Sequence, residues 1–427
     1  MLRLAVRAAD GSPRPLLLGS GALDALPRVW RPAWHAAALV ADRNVMRLYG
    51  ARALRILRRC TPHVLSCPFP AGETHKTRAL KAAIEDRLLA AGLGRDTCLV
   101  ALGGGVTLDL AGFVAATYLR GIPHVLVPTT LLAQVDAAFG GKTGINAPAG
   151  KNLVGAFHFP EAVLVDPQLL RTLPEAEWLG GLAEVVKHAV VGDPALFRLL
   201  ERRAERLRYT FTRGGPPGRT PGQELHAAAG AAAASPPDPP CIVSGRALDD
   251  APLAPRHRRE GVNGDGEPSA GRLDPVLLRR AVAVKLDVVT ADPFERGRRA
   301  VLNFGHTVGH ALEAASAHAV PHGLAVAVGM AVEADVAVAS CGFPAAERDR
   351  LLALLERLGL PTAARLPFAR LRKYLAVDKK NRAGAVRLAL PLRIGRMAGA
   401  RSGWTLAVDL AVLRAAWERR RRGLARG

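Results

Sequence analysis

Two histidines four residues apart, His306 and His310, lie in the run Leu302-Asn-Phe-Gly-His-Thr-Val-Gly-His-Ala-Leu-Glu313. On a helix that spacing stacks both imidazoles on one face, a geometry open to a metal site and equally to a buried, hydrogen-bonded pair. A second pair lies upstream in Gly181-Leu-Ala-Glu-Val-Val-Lys-His188, where Glu184 and Lys187 are three apart among apolar residues. An ordinary ion pair has this spacing too, but paired charges on an apolar face are costly unless they serve a purpose. His322-Gly323 adds a further imidazole ahead of another helical stretch. One carboxylate with two imidazoles leaves open positions on a zinc ion, the pattern of a catalytic site.

Lysine is scarce here. Of 59 basic residues only nine are lysine, and a compact ammonium on a flexible stem suits sites that need reach and a tunable proton. Several cluster in the stretch Gln134-Val-Asp136-Ala-Ala-Phe-Gly-Gly-Lys142-Thr-Gly-Ile-Asn146 and in Gly150-Lys151-Asn152. Lysines among glycines bind phosphates or carboxylates well because backbone donors join the ammonium, although an exposed loop has the same composition.

The elements that must position these groups change character along the chain. Apolar runs at 36–40, 97–102, 124–127 and 162–165 read as strands, alternating with helical periodicity at 80–91 and 106–116. Such alternation predicts a parallel sheet covered on both faces, with ligands at the carboxyl ends of the strands. Asp42, Gly103-Gly-Gly105 and Thr129-Thr130 fall at those ends, and the glycine turn opens a helix where backbone N–H groups can approach a phosphate. From about Leu170 the pattern becomes helical, over 177–191, 275–290, 300–317, 323–340 and 345–358, which predicts a second, mostly α domain. The segment at about 209–272, rich in Gly, Pro, Ala and Ser, shows no sustained periodicity and is expected to be a mobile insertion whose His226, Cys241 and His257 are not ligands.

Composition narrows the function classes. The net charge of +22 is arginine spread along 427 residues, with only 5% aromatics, so no stacking platform for nucleic acid is expected and the run Arg419 to Arg422 reads as solvated surface. No membrane span or signal peptide is expected, which makes the cytoplasm the default location. Five scattered cysteines without a Cys-x-x-Cys pair point to His and carboxylate ligands for any metal.

Gly103-Gly-Gly-Val-x-x-Asp109, Arg120-Gly, Pro128-Thr-Thr, Asp136-x-x-x-Gly-Gly-Lys142, Gly150-Lys-Asn152, Glu184-x-x-Lys187, Leu302-Asn-Phe-Gly-His-Thr-x-Gly-His310 and Asp378-Lys-Lys380 occur in one order. With these motifs the chain resembles the 3-dehydroquinate synthase family over nearly its whole length apart from the insertion. The resemblance implies a Rossmann-like α/β domain over 1–168 holding NAD, a mostly α-helical domain over 169–427 holding zinc or cobalt, and a homodimer. It implies cyclisation of 3-deoxy-D-arabino-heptulosonate 7-phosphate to 3-dehydroquinate with release of phosphate, in the shikimate pathway. Glu184, His306 and His322 match the family's metal ligands, and His310 matches a proton-transfer residue. Lys142, Lys187 and Asp136 match groups at the reacting centre. Asn152, Lys285, Arg299, Asn303 and Lys380 match substrate contacts, with Arg120 expected from a partner subunit. Asp42, Glu73, Lys76, Gly104, Gly105, Val106, Asp109, Thr129, Thr130, Lys142 and Thr172 match cofactor contacts, and Lys151 a further one. Another sugar phosphate cyclase, acting on an aminated analogue or on sedoheptulose 7-phosphate, would share this frame; Asn303 and His310 with Lys142 and Asn152 favour the dehydroquinate enzyme. The chain departs from the family where Leu324 follows His322-Gly323, a place usually held by an acid. If that acid orients the histidine, metal affinity is expected to be weakened here.

Overall fold

The computed structural model describes residues 1–7, 11–208, 273–375 and 385–424. The expected insertion at 209–272 and the Asp378-Lys379-Lys380 motif lie outside the described residues, as does Lys380 with them.

The N-terminal half is Rossmann-like. Strands β1 (Leu2–Arg7), β2 (Pro13–Leu18), β3 (Ala36–Asp42), β4 (His63–Phe69), β5 (Thr97–Gly103), β6 (His124–Pro128) and β9 (Ala162–Val165) form one sheet in the order β1-β2-β9-β6-β5-β3-β4. All neighbours run parallel except the edge pair β1 and β2. Strands β5, β6 and β9 are buried along their full length, which is why they read as unbroken apolar runs. From β3 the chain steps outward to β4, then returns to place β5 on the other side of β3. Strand order therefore reverses between β3 and β5, and a crevice opens beyond their carboxyl ends, between Asp42 and Gly103. Sequence periodicity missed β1, β2 and β4. It also left 142–157 as a glycine-rich loop, whereas the segment is an antiparallel ribbon of β7 (Lys142–Ala147) and β8 (Gly150–Phe157).

After β9 the structure is mostly helical, with helices Glu175–Gly192, Pro194–Leu207, Pro275–Ala291, His306–Ala315, His322–Cys341, Ala345–Arg357 and Leu410–Gly423. Two small sheets from the segments 385–397 and 406–409 accompany them. The His322–Cys341 helix is the axis of this half, with every residue from Gly323 to Ala337 buried. It is the one described helix long and apolar enough to cross a membrane, and 78% of that window is buried inside the protein.

Two features fix this helix against its neighbours. A Cβ on Gly323 would fall 2.2 Å from the Cα of Gly180, so the two helices cross at glycine contact and Glu184, one turn beyond Gly180, is drawn up to His322. At the far end Asp335, fully buried, takes Arg348 at 2.6 Å and Arg420 at 2.7 Å. One guanidinium of the Arg419 to Arg422 run is thereby spent inside the fold, not on a solvated face. The helix expected over 300–317 is broken: Arg298–Asn303 is a 3-10 turn, Gly305 adopts φ 79°, and the α-helix begins at His306. Asn303 thus precedes the His306 helix and does not lie on it.

Candidate active site

Glu184 Oε1 lies 3.5 Å from His306 Nε2 and 3.5 Å from His322 Nε2, three donors brought together from three helices. Glu184 is 1% exposed, and its second oxygen pairs with Lys187. His306 Nδ1 is 3.2 Å from the Phe304 carbonyl, which can only accept, so this nitrogen carries the proton and Nε2 presents its lone pair. His322 Nδ1 lies 3.0 Å from Glu313 Oε2. His310, at the exposed mouth of the cluster, stacks on His322 with ring centroids 5.6 Å apart and meets His306 edge to face at 5.3 Å. The spacing left His306 and His310 equivalent; packing keeps both beside His322 and brings His306 to Glu184.

The electrostatics favour a cation at this point. Burial opposes charge on Glu184, yet the Lys187 ammonium and then His306 hold its carboxyl well below the usual range. Burial likewise opposes charge on His322, but hydrogen bonding to the Glu184 and Glu313 carboxylates outweighs it and lifts the imidazole to about 10. Burial drives His306 the other way. Desolvation, followed by the neighbouring imidazoles His306 and His322, lowers His310, and its exposure at the mouth of the cluster moderates that shift. Among the described residues His306, His310 and His322 form one group with metal-ligand spacing, and Asp136, Glu184 and His188 form a second. There, however, Lys187 at 2.6 Å and Lys285 both pair with Asp136, and two ammoniums already neutralise the carboxylates. Glu184 Oε1, facing His306 and His322, offers one carboxylate and two imidazoles, a donor set whose chemistry suits a catalytic divalent ion.

Around this point the structure gathers the expected cationic groups. Against burial, Asp136 is held well below the usual carboxylate range by Lys187 and Lys285, while burial lowers Lys285 to about 8. Lys142 pairs with Glu295, whose other oxygen is 3.5 Å from the Asn303 amide. An internal carboxylate thus engages two of the groups matched to the substrate. Arg299 is buried and donates to the carbonyls of Gly140 and Pro293 at 3.0 and 2.7 Å, so its guanidinium also holds the glycine turn. Arg120 sits on an exposed turn with φ 68°, with no hydrogen bond or ion pair to this cluster.

At the crevice of the sheet, the Gly105–Thr117 helix has no side-chain hydrogen bond at its Gly104 N-cap, so the first-turn N–H groups of Gly105 and Val106 are open to a phosphate. Thr129 donates its backbone N–H to Gly103, and Thr130 caps Ala133 through its hydroxyl. Lys76 Nζ bridges Asp109 at 2.6 Å and Asn152 at 2.5 Å, and Asn146 joins Glu73 at 2.7 Å to the backbone of Asn152. Asn152, matched to substrate, is therefore tied to the residues matched to the cofactor. Asp42 caps its own turn at Asn44 and Val45, and Thr172 bonds Tyr49 at 2.6 Å. These groups suit a dinucleotide: open helix amides for a pyrophosphate, and acids with a lysine near the ribose side.

Sequence reasoning assigned nothing to Glu313, Glu333, Glu295 or His188. Glu313 was legible in principle, since it falls seven residues after His306 and three after His310, on the same helical face. Glu333 accepts from the Gly305 and Val308 amides at 2.7 and 3.2 Å and so caps the His306 helix from the neighbouring one. No local pattern marks that contact.

Family comparisons agree with the motif order. The model of the 3-dehydroquinate synthase N-terminal region matches residues 66–180 and that of its C-terminal region matches 269–381. The 3-dehydroquinate synthase of Symbiobacterium thermophilum is 40% identical over 395 residues, covering 90% of this chain and 92% of that protein. That of Nostoc punctiforme is 38% identical over 362 residues, 84% of each. Among solved structures, 2-deoxy-scyllo-inosose synthase complexed with carbaglucose-6-phosphate, NAD+ and Co2+ superposes with a TM-score of 0.73 at 22% identity, covering 98% of this chain and 100% of that one. The 2-epi-5-epi-valiolone synthase of Streptomyces hygroscopicus with NAD+ and Zn2+ bound gives 0.72 at 26% identity, with coverage of 98% and 100%.

Proposed function

The chain belongs to the 3-dehydroquinate synthase family, and from that premise we propose that it is an NAD- and metal-dependent lyase that cyclises 3-deoxy-D-arabino-heptulosonate 7-phosphate to 3-dehydroquinate and phosphate. The observation that carries the reading is the meeting of Glu184 with His306 and His322 at 3.5 Å beside the Asp136, Lys187 and Lys285 cluster. Identity to dehydroquinate synthases, at 38 to 40%, exceeds that to cyclases of other sugar phosphates, at 22 to 26%.

NAD, when bound, would supply reversible hydride chemistry at the substrate's C5 hydroxyl. Glu184, His306 and His322 would hold zinc or cobalt, which would supply a Lewis acid for the substrate's C5 oxygen. The chain's own residues do the rest. Lys187 and Lys285 set Asp136 beside the reacting hydroxyls. His310, at the cleft mouth, is placed to carry a proton. Lys142, Asn152, Arg299 and Asn303 hold the sugar's carboxylate, hydroxyls and phosphate, and Lys142 exchanges Glu295 for a substrate anion. Lys380 is assigned to substrate as well. Asp42, Glu73, Lys76, Gly104 to Val106, Asp109, Thr129, Thr130, Lys151 and Thr172 are assigned to the dinucleotide. We divide the chain at 168/169 into a nucleotide domain and a metal and substrate domain. We assign it to the cytoplasm as a homodimer in which Arg120 of each subunit reaches the other's substrate.

The test is direct: purified protein with NAD and zinc or cobalt is given the heptulosonate phosphate, and dehydroquinate and phosphate are assayed together. Equal yields with NAD regenerated are expected. Stoichiometric reduction of NAD without phosphate release would place the protein among polyol dehydrogenases. Turnover of sedoheptulose 7-phosphate alone would place it with another cyclase.

A further inference from the structure

We infer that Glu313, held by Lys151, is the positioning residue of the metal site and fixes the His322 imidazole. The inference rests on the assignment of His322 as a ligand. Metal-bound histidines need their distal ring nitrogen fixed, because this sets both the tautomer and the direction of the lone pair. His306 has such a partner in the Phe304 carbonyl. For His322 the partner is Glu313 Oε2 at 3.0 Å, reached across the interface between the His306 and His322 helices. With Nδ1–H bonded to Glu313, Nε2 is the ring nitrogen that faces Glu184 and would carry the metal.

The expectation that an acid at position 324 would orient His322 does not hold. Leu324 is 0% exposed within the apolar core, and a residue two positions along a helix does not share a face with His322. Lys151 Nζ, from the β7–β8 ribbon, lies 3.1 Å from Glu313 Oε1 and fixes the rotation of the carboxylate. The ribbon leads at Asn152 into the Lys76 and Asp109 network. A chain of contacts thus joins the nucleotide crevice to the metal histidine, through Asn152, Lys151 and Glu313.

The experiment measures cobalt(II) affinity by competition titration, and the visible spectrum of the bound cobalt, for wild type, Glu313→Gln, Lys151→Met and His322→Ala. Glu313→Gln is expected to bind cobalt about 10- to 100-fold more weakly, with a changed visible spectrum and unchanged NAD binding. Lys151→Met is expected to weaken cobalt by a smaller factor. Wild-type cobalt affinity and spectrum in Glu313→Gln, beside a His322→Ala protein that has lost cobalt, overturn the inference. Wild-type affinity in His322→Ala overturns the ligand assignment beneath it. Should Glu313→Gln not fold, wild-type cobalt affinity in Lys151→Met refutes the role of the pair.

Discussion

Glu184 sits between opposing demands, since burial disfavours its charge while Lys187, and after it His306, favour it. Replacing it with Gln keeps the shape and removes the charge. Metal-dependent turnover should then be lost while NAD binding, followed by fluorescence titration, persists; wild-type turnover of Glu184→Gln in metal-stripped buffer would refute the ligand assignment. The glutamate, the lysine three residues on and the histidines were all visible as residue types at spacings suited to chemistry. Which atoms meet was not visible, because an i,i+4 pair specifies a shared face and leaves open what lies opposite. Asn152 shows the same limit: it joins the Lys76 network through a backbone at φ 55°, a conformation no local pattern announced.

At the scale of elements, the site depends on how closely two helices approach. Gly323 packs against Gly180 with no room for a side chain, since a Cβ there would lie 2.2 Å from backbone. Gly323→Ala should cost about 1–3 kcal/mol through overpacking, read from urea unfolding, and should weaken metal binding by displacing His322 from Glu184. Unchanged stability and metal affinity would show that the crossing is looser than described. Asp335 anchors the opposite end of the same helix. Burial alone would raise its carboxyl, but Arg420 and Arg348 hold it below the usual range. A depressed carboxylate contributes stability above its unfolded value of about 3.9, and this contribution is lost as pH falls through the lower folded value. Asp335→Asn should therefore unfold more easily than wild type at pH 7, by about 3 kcal/mol, and the gap should narrow below about pH 4. Equal urea midpoints at pH 7 would remove Asp335 from the account. The alternation of strands and helices was readable in the first half because buried parallel strands are continuous apolar runs. The break at Gly305 was not, since the apolar pattern continues through it and only the requirement of a left-handed residue, met by glycine, interrupts the helix.

For the whole molecule, the exposure of Arg120 makes the proposed dimer testable. Arg120→Ala and Glu184→Gln proteins should each be inactive alone. Mixed and allowed to exchange subunits, they should recover activity, because one site in each heterodimer then holds both intact residues. No recovery, with exchange verified by mass, would assign Arg120 to its own subunit or to none. The sequence by itself determined the order of the halves, the glycine turn at the end of a strand, the scarcity of lysine outside functional motifs and the family. These are properties of short segments, written in period, residue type and spacing. Tertiary structure alone decided that His306 and not His310 meets Glu184, that two lysines neutralise Asp136, and that Glu313 stands behind His322 where Leu324 cannot. Those contacts join residues as far apart as Lys151 and Glu313, separated by 162 positions. Only the packing of helices against each other and against the ribbon brings such groups within hydrogen-bonding distance.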